Sequence, residues 1–198
     1  MRTVLITGAS SGIGYEFAKI YAKNGYNLVV VARNGDKLEA LKKEILKKIS
    51  KDVKITVIEA DLSQENASER LYNQIKSNNL KIDTLVNNAG IGIYGKFSEF
   101  DEEMIKKNDA MVNLNIKAVV ELTRLFLADM MKAGNGEILN VSSIAAFMPG
   151  PLMSTYYASK AFVQSFTEAV REELREDICG KNIKISALCP CLLYTSDA

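Results

Sequence analysis

Histidine is absent from all 198 residues. That removes His-based triads, His general bases and His metal sites in one step. Cysteine is scarce, and Cys179, Cys189 and Cys191 all lie near the C-terminus. Three is an odd number and the spacing is not that of a zinc site, so neither a disulfide framework nor a metal centre is expected. No apolar run approaches the ~18 residues of a membrane span. Met1-Arg2-Thr3 leads at once into a short apolar run, without the pattern of a signal peptide. An excess of one charge is missing too. Lys+Arg is 25 and Asp+Glu is 24, a net charge of +1. That gives no electrostatic reason to expect a nucleic-acid or anionic-membrane partner. The expectation is a reduced, cytoplasmic protein.

What is present is the balance of an ordinary globular chain, with 47% hydrophobic and 25% charged residues. The length is that of one domain, two at most. Short apolar runs alternate with helix-period stretches. Val4–Ile6, Leu28–Val31, Val53–Ile58, Ile82–Val86, Glu137–Val141 and Ile183–Leu188 read as six strands. Between them, apolar spacing predicts helices after Gly12, over Asp36–Ile49, about Gln64–Lys76, about Asp109–Lys132 and over Tyr156–Glu176. Strands too short to alternate, each followed by a helix, argue an α/β fold with a parallel sheet covered on both faces. Six of them fit the doubly wound order 3-2-1-4-5-6. There is no internal repeat, low-complexity tract or linker, so residues 1–190 are read as a single domain.

Thr7-Gly8-Ala9-Ser10-Ser11-Gly12-Ile13-Gly14 lies between the first strand and the first helix. Glycines let the chain turn sharply and let a pyrophosphate approach the main chain. The helix N-terminus then offers free N–H groups and a positive dipole end. A ligand-free glycine turn is the alternative, but the strand–turn–helix setting favours a dinucleotide site.

The spacing Gly-x-x-x-Gly-x-Gly, preceded by Thr7, resembles that of the short-chain dehydrogenase/reductase family. Further motifs match in order: Asp61-Leu62, Asn87-Asn88-Ala89-Gly90, Asn115, Ser143 and Tyr156-x-x-x-Lys160. The resemblance runs from about residue 2 to residue 190. It implies a Rossmann-type domain with Gly8, Ser10, Ser11, Gly12, Ile13, Gly14, Asp61, Leu62, Asn88, Ala89, Gly90, Tyr156 and Lys160 against the cofactor. It also implies Asn115, Ser143, Tyr156 and Lys160 as the catalytic set, with Asn115 holding a relay water.

Physical chemistry agrees with the pairing of Tyr156 and Lys160. Four residues apart, they share one helix face. A free phenol titrates near ~10, and a neighbouring ammonium stabilises the phenolate. That suits a proton donor in carbonyl reduction or alcohol oxidation. Tyr157, Ser142 and Asn113 are the rivals for three of these roles, and the family pattern selects Tyr156, Ser143 and Asn115. Hydride must come from a cofactor, because no side chain donates it.

The acidic residue expected for NAD at the end of the second strand is absent, since Ala32 and Arg33 stand there. A guanidinium can bond a 2′-phosphate, which favours NADP over NAD. Phe147, Met148, Leu152 and Met153, with Ile91, Ile93, Tyr94 and Phe97, form two apolar sets after strand ends. An apolar ketone or acyl-type carbonyl is the expected small-molecule substrate. The overall pattern looks like the family members that include 3-ketoacyl and hydroxysteroid reductases. The reading is thus an NADP-dependent oxidoreductase without a metal, by resemblance a homo-oligomer when full length. A non-catalytic dinucleotide-sensing module is the alternative, and the acid–base set counts against it. A sugar-nucleotide epimerase is a third, with different glycine spacing.

After Pro190 the family usually has a glycine, a mobile lid, a helix and a last strand. This chain reads Cys191-Leu192-Leu193-Tyr194-Thr195-Ser196-Asp197-Ala198 instead. The string resembles a translated sequencing adapter, so residues 191–198 are expected to be a non-native tail, with the final strand and helix missing. Genomic DNA read past the codon for Pro190 is expected to continue in a different sequence. A clean stop after Ala198 overturns this.

Overall fold

Three and four consecutive β-branched or leucine residues form strands that must be buried on both faces. Val4, Leu5 and Ile6, and Leu28 through Val31, are at most 1% exposed. The computed structural model describes residues 1–177 and 180–191, so Cys179 and residues 192–198 lie outside the described part. Its strands are β1 (Thr3–Thr7), β2 (Asn27–Ala32), β3 (Ile55–Glu59), β4 (Thr84–Asn87), β5 (Gly136–Val141) and β6 (Ile183–Leu188). They form one parallel sheet in the order β3-β2-β1-β4-β5-β6, as expected from the sequence.

Alternate residues of each strand face opposite layers. Val4, Ile6, Leu28 and Val30 pack with Ala18 and Ala22 of α1 (Gly12–Lys23) and with Leu38, Leu41 and Ile45 of α2 (Gly35–Lys48). Leu5, Val29, Leu85 and Ile138 face the other layer. That layer is built by Leu71 and Ile75 of α3 (Ala67–Ser77), Leu122, Phe126 and Met130 of α5 (Ala118–Ala133), and Leu174 of α6 (Ser154–Glu176).

One boundary differs from the sequence reading. The helix expected from Asp109 begins about two turns earlier, as α4 (Glu102–Val112). Asp101 caps it, its Oδ1 accepting from the Met104 N–H at 2.8 Å, with Glu102 and Glu103 in the first turn. Between α4 and α5, residues Asn113–Lys117 form a π-helical turn. No helix among the described residues is long and apolar enough to cross a membrane, and none of these residues cluster as metal ligands.

Candidate active site

Between β1 and β4 the sheet order reverses, and the chain leaves the two strand ends toward opposite layers. A crevice opens at such a point. Thr7 and Asn88 tie its floor together. Thr7 Oγ1 accepts from the N–H groups of Asn88 and Ala89, each at 3.0 Å, and donates to the Val86 carbonyl. Asn88 Nδ2 donates to the carbonyls of Thr7 at 2.9 Å and Gly8 at 3.2 Å. The turn between them needs its glycines. Gly8 and Gly12 have φ of +67° and +56°. A Cβ on Gly14 would strike the Gly8 carbonyl, whereas nothing lies within 4 Å of one on Gly12. Ser11, the N-cap of α1, has no side-chain capping bond. This leaves an open, donor-rich helix start, the cradle a pyrophosphate requires.

The crevice is one cleft of about 1340 Å³. Gly8, Ser10, Ser11, Ile13, Arg33, Leu62, Asn88, Ala89 and Gly90 line it, as do Ser143, Tyr156 and Lys160. Four other residues named from the sequence do not. Gly12, exposed, and Gly14, buried, shape the turn itself. Asp61 turns back on its own loop, accepting from the Ser63 N–H, the Ser63 hydroxyl and Gln64 Nε2. Burial works against its charge, but these bonds and the Arg33 guanidinium hold its carboxyl below the usual range.

Asn115 is the fourth, 1% exposed in the π turn. Its Oδ1 accepts from the Ile91 N–H at 3.0 Å, and its Nδ2 donates to the Ile91 carbonyl and to Ser159 Oγ. The side-chain amide is therefore committed to holding the loop after β4 against α6. A Cβ on Gly90 would meet Asn115 Oδ1 at 3.2 Å and Lys160 Nζ at 3.3 Å, so glycine lets these two side chains close on one point. Asn113 does not reach the cleft.

The two serines after β5 part company. Ser142 is 2% exposed and donates to the Lys160 carbonyl at 2.8 Å. Ser143 is half-buried on the cleft wall, its Oγ accepting from the Ala145 N–H at 3.1 Å. Tyr156, in the first turn of α6, lies with its ring edge against the Gly92 backbone and edge-on to Tyr157. Lys160 is 6% exposed. Its Nζ donates to the Val141 carbonyl at 3.0 Å and sits 5.8 Å from the Tyr156 ring centre. Burial pushes this ammonium down to about 8, with Cys189 opposing the shift. Ile91, Leu114, Met148 and Met153 line the same end, where among the described residues Lys160 is the one charged side chain on the wall. Ile93, Tyr94, Phe97, Phe147 and Leu152 do not line the cleft; Tyr94, Phe97 and Phe147 are 65–70% exposed.

Sequence reasoning missed Glu59, Lys37 and Gly92. Glu59 and Lys37 border the cleft beside Arg33, and Gly92 borders it beside Tyr156. The signal for Glu59 was present in its position at a carboxyl strand end.

A family model described as short chain dehydrogenase matches residues 2–197. The chain is 36% identical over 195 residues to the human 17-beta-hydroxysteroid dehydrogenase type 3, covering 97% of this chain and 59% of that protein. It is 34% identical to the very-long-chain 3-oxoacyl-CoA reductase of Anas platyrhynchos, covering 96% and 59%. It thus spans 59% of the length of these curated relatives. Among solved structures, the bulky-bulky ketone specific alcohol dehydrogenase from Comamonas testosteroni superposes with a TM-score of 0.87 at 33% identity, covering 100% and 75%. A short-chain dehydrogenase from Sphingobium yanoikuyae in complex with NADPH gives 0.85 at 32%, covering 96% and 71%.

Charging Lys160 in the fold costs stability. Its value falls from the ordinary 10.5 to about 8. The cost is complete below pH 8 and fades as the pH rises toward 10.5. Lys160→Met is therefore expected to unfold at higher urea than the parent at pH 7, by roughly 1–3 kcal/mol. The gap should narrow steadily from pH 8 to pH 10. A gap that does not change with pH contradicts burial as the cause.

Proposed function

We propose that this chain, which belongs to the short-chain dehydrogenase family, is the catalytic domain of an NADP-dependent oxidoreductase interconverting an apolar carbonyl and its alcohol. One observation carries the reading. Ser143, Tyr156 and the buried Lys160 border one end of a cleft whose other end is bordered by Arg33. The glycine cradle between the two ends fits a dinucleotide, which when bound supplies the hydride.

The residues divide the remaining work. Tyr156 donates its hydroxyl proton to the carbonyl oxygen in reduction and takes it back in oxidation. Ser143 bonds the same oxygen and fixes its position. Lys160, held on the Val141 carbonyl, keeps a positive charge beside the Tyr156 ring in a site of low dielectric. Asn115 and Ser159 fix the first turn of α6, since Ser159 Oγ accepts from Asn115 and donates to the Tyr156 carbonyl at 2.7 Å. The apolar wall supports a ketone or acyl-type substrate, in keeping with the names of the relatives above. The homo-oligomer reading is supported by the apolar edge of α6, where Phe162 is 40% exposed and stacks on Phe166 at 6.0 Å.

Two variants of the full-length gene product test this. Tyr156→Phe keeps the ring and removes the proton, so kcat is expected to fall ~10²–10⁴-fold with NADPH affinity nearly unchanged. Loss in Tyr157→Phe but not in Tyr156→Phe would move the role to the neighbour. Arg33→Ala is expected to weaken NADPH binding by about 1.5 kcal/mol, the low end for a charged hydrogen bond, because Arg33 is exposed. NADH binding should stay put in a fluorescence titration. Equal losses for both cofactors refute the 2′-phosphate assignment.

A further inference from the structure

At the Arg33 end the cleft carries a carboxylate that the β2 sequence does not reveal. Glu59 is the last residue of β3, and β3 pairs in parallel with β2 so that Glu59 stands opposite Ala32. Ala32 holds the place where a dinucleotide fold that selects NAD carries an acid. The neighbouring strand thus brings a carboxylate back to a place the β2 sequence leaves empty of one. Glu59 lines the cleft together with Arg33, Gly35 and Lys37.

Its seat is specific. Glu59 Oε2 lies 2.5 Å from where a Cβ on Gly35 would be, so the absence of a side chain there admits the carboxylate. Gly35 is the first residue of α2, whose positive dipole end attracts an anion. Among the described residues, the side chains of Glu59, Arg33 and Lys37 make no hydrogen bond or ion pair with the protein. With Asp36, which lines the same wall, four charges border the ribose end of the cleft, two positive and two negative.

We propose that Glu59 is a cofactor-discriminating residue acting from β3: it accepts the ribose 2′-hydroxyl of NADH and opposes the 2′-phosphate of NADPH. This rests on the dinucleotide reading of the cleft. Arg33 and Lys37 favour the phosphate, and Glu59 narrows the preference they set. Its effect is that of an exposed charge, a few-fold in binding and weaker in salt.

The test is cofactor binding by fluorescence titration, which needs no substrate. Glu59→Gln keeps an acceptor oxygen and removes the charge. It is expected to tighten NADPH about three-fold, less at 1 M salt, and to leave NADH within error. Glu59→Ala also removes the acceptor and is expected to weaken NADH about five-fold. Glu102→Gln, in the first turn of α4 and off the cleft wall, controls for a general loss of negative charge and should leave the NADPH-to-NADH ratio where it was. An unchanged ratio in both Glu59 variants, with or without a lowered Tm, leaves Glu59 as a helix-end carboxylate and overturns the proposal. A ratio shifted equally by Glu102→Gln overturns it as well. Binding of neither cofactor by the parent protein defeats the dinucleotide reading itself, a result distinct from both.

Discussion

The cleft exists because two adjacent parallel strands send their chains to opposite sides, and it stays shaped because Thr7 and Asn88 pin those chains together. Without the pin, the glycine turn after β1 would have few constraints of its own, since glycine loses more conformational freedom on ordering than any other residue. The Thr7 hydroxyl accepts two N–H groups and donates to one carbonyl, so its capacity is full. Asn88 Nδ2 satisfies two carbonyls of the turn that the sheet cannot reach. The Ala9 N–H goes to the Val31 carbonyl at 3.2 Å, and the N–H groups of Ser10 and Ser11 find no protein acceptor among the described residues. An anion site of this kind is made by satisfying the acceptors inward and leaving the donors outward.

A second set of buried polar groups carries the alignment from this pin to the chemistry. Asn87 and Asn140 are register partners on β4 and β5, joined at 2.9 Å. Asn87 also donates to Thr123 of α5, and Asn140 to Thr167 of α6, both buried. Polar groups removed from water are costly unless paired, so each bond fixes a helix to a strand in one position only. The Asn115–Ser159–Tyr156 chain repeats the device one level higher, tying the loop after β4 to the first turn of α6. Tyr156 and Lys160 are then set by helix geometry.

The sheet order, the two layers and the residues on the cleft wall could be read from the sequence because short apolar strands and glycine spacing act locally. The strand-end position of Glu59 was legible, but its neighbour was not. Its place beside Ala32 is a matter of β2–β3 register, which joins residues 27 positions apart. The π turn at Asn115 has no residue signature, because the change is one of hydrogen-bond partner rather than of composition. Asp61 stands apart from the cleft wall for a different reason. Its family position fits the cleft, but Ser63 and Gln64 give its carboxylate a local set of donors. The early start of α4 was legible in Asp101-Glu102-Glu103, and the apolar period that begins later outweighed it.

The two ends of the cleft therefore work under different electrostatics. Lys160 is nearly sealed, so its charge acts through a medium of low dielectric and is felt strongly by the Tyr156 ring beside it. Arg33, Lys37 and Glu59 are exposed, and water and salt divide each of their interactions several-fold. Proton transfer needs one large, fixed effect and gains from burial. Choice between two cofactors that differ by a single phosphate needs only a difference of a few-fold per residue. On the proposal made above, Glu59 at the end of β3 opposes Arg33 after β2 and Lys37 in α2, and one side chain would retune the balance without touching the buried end.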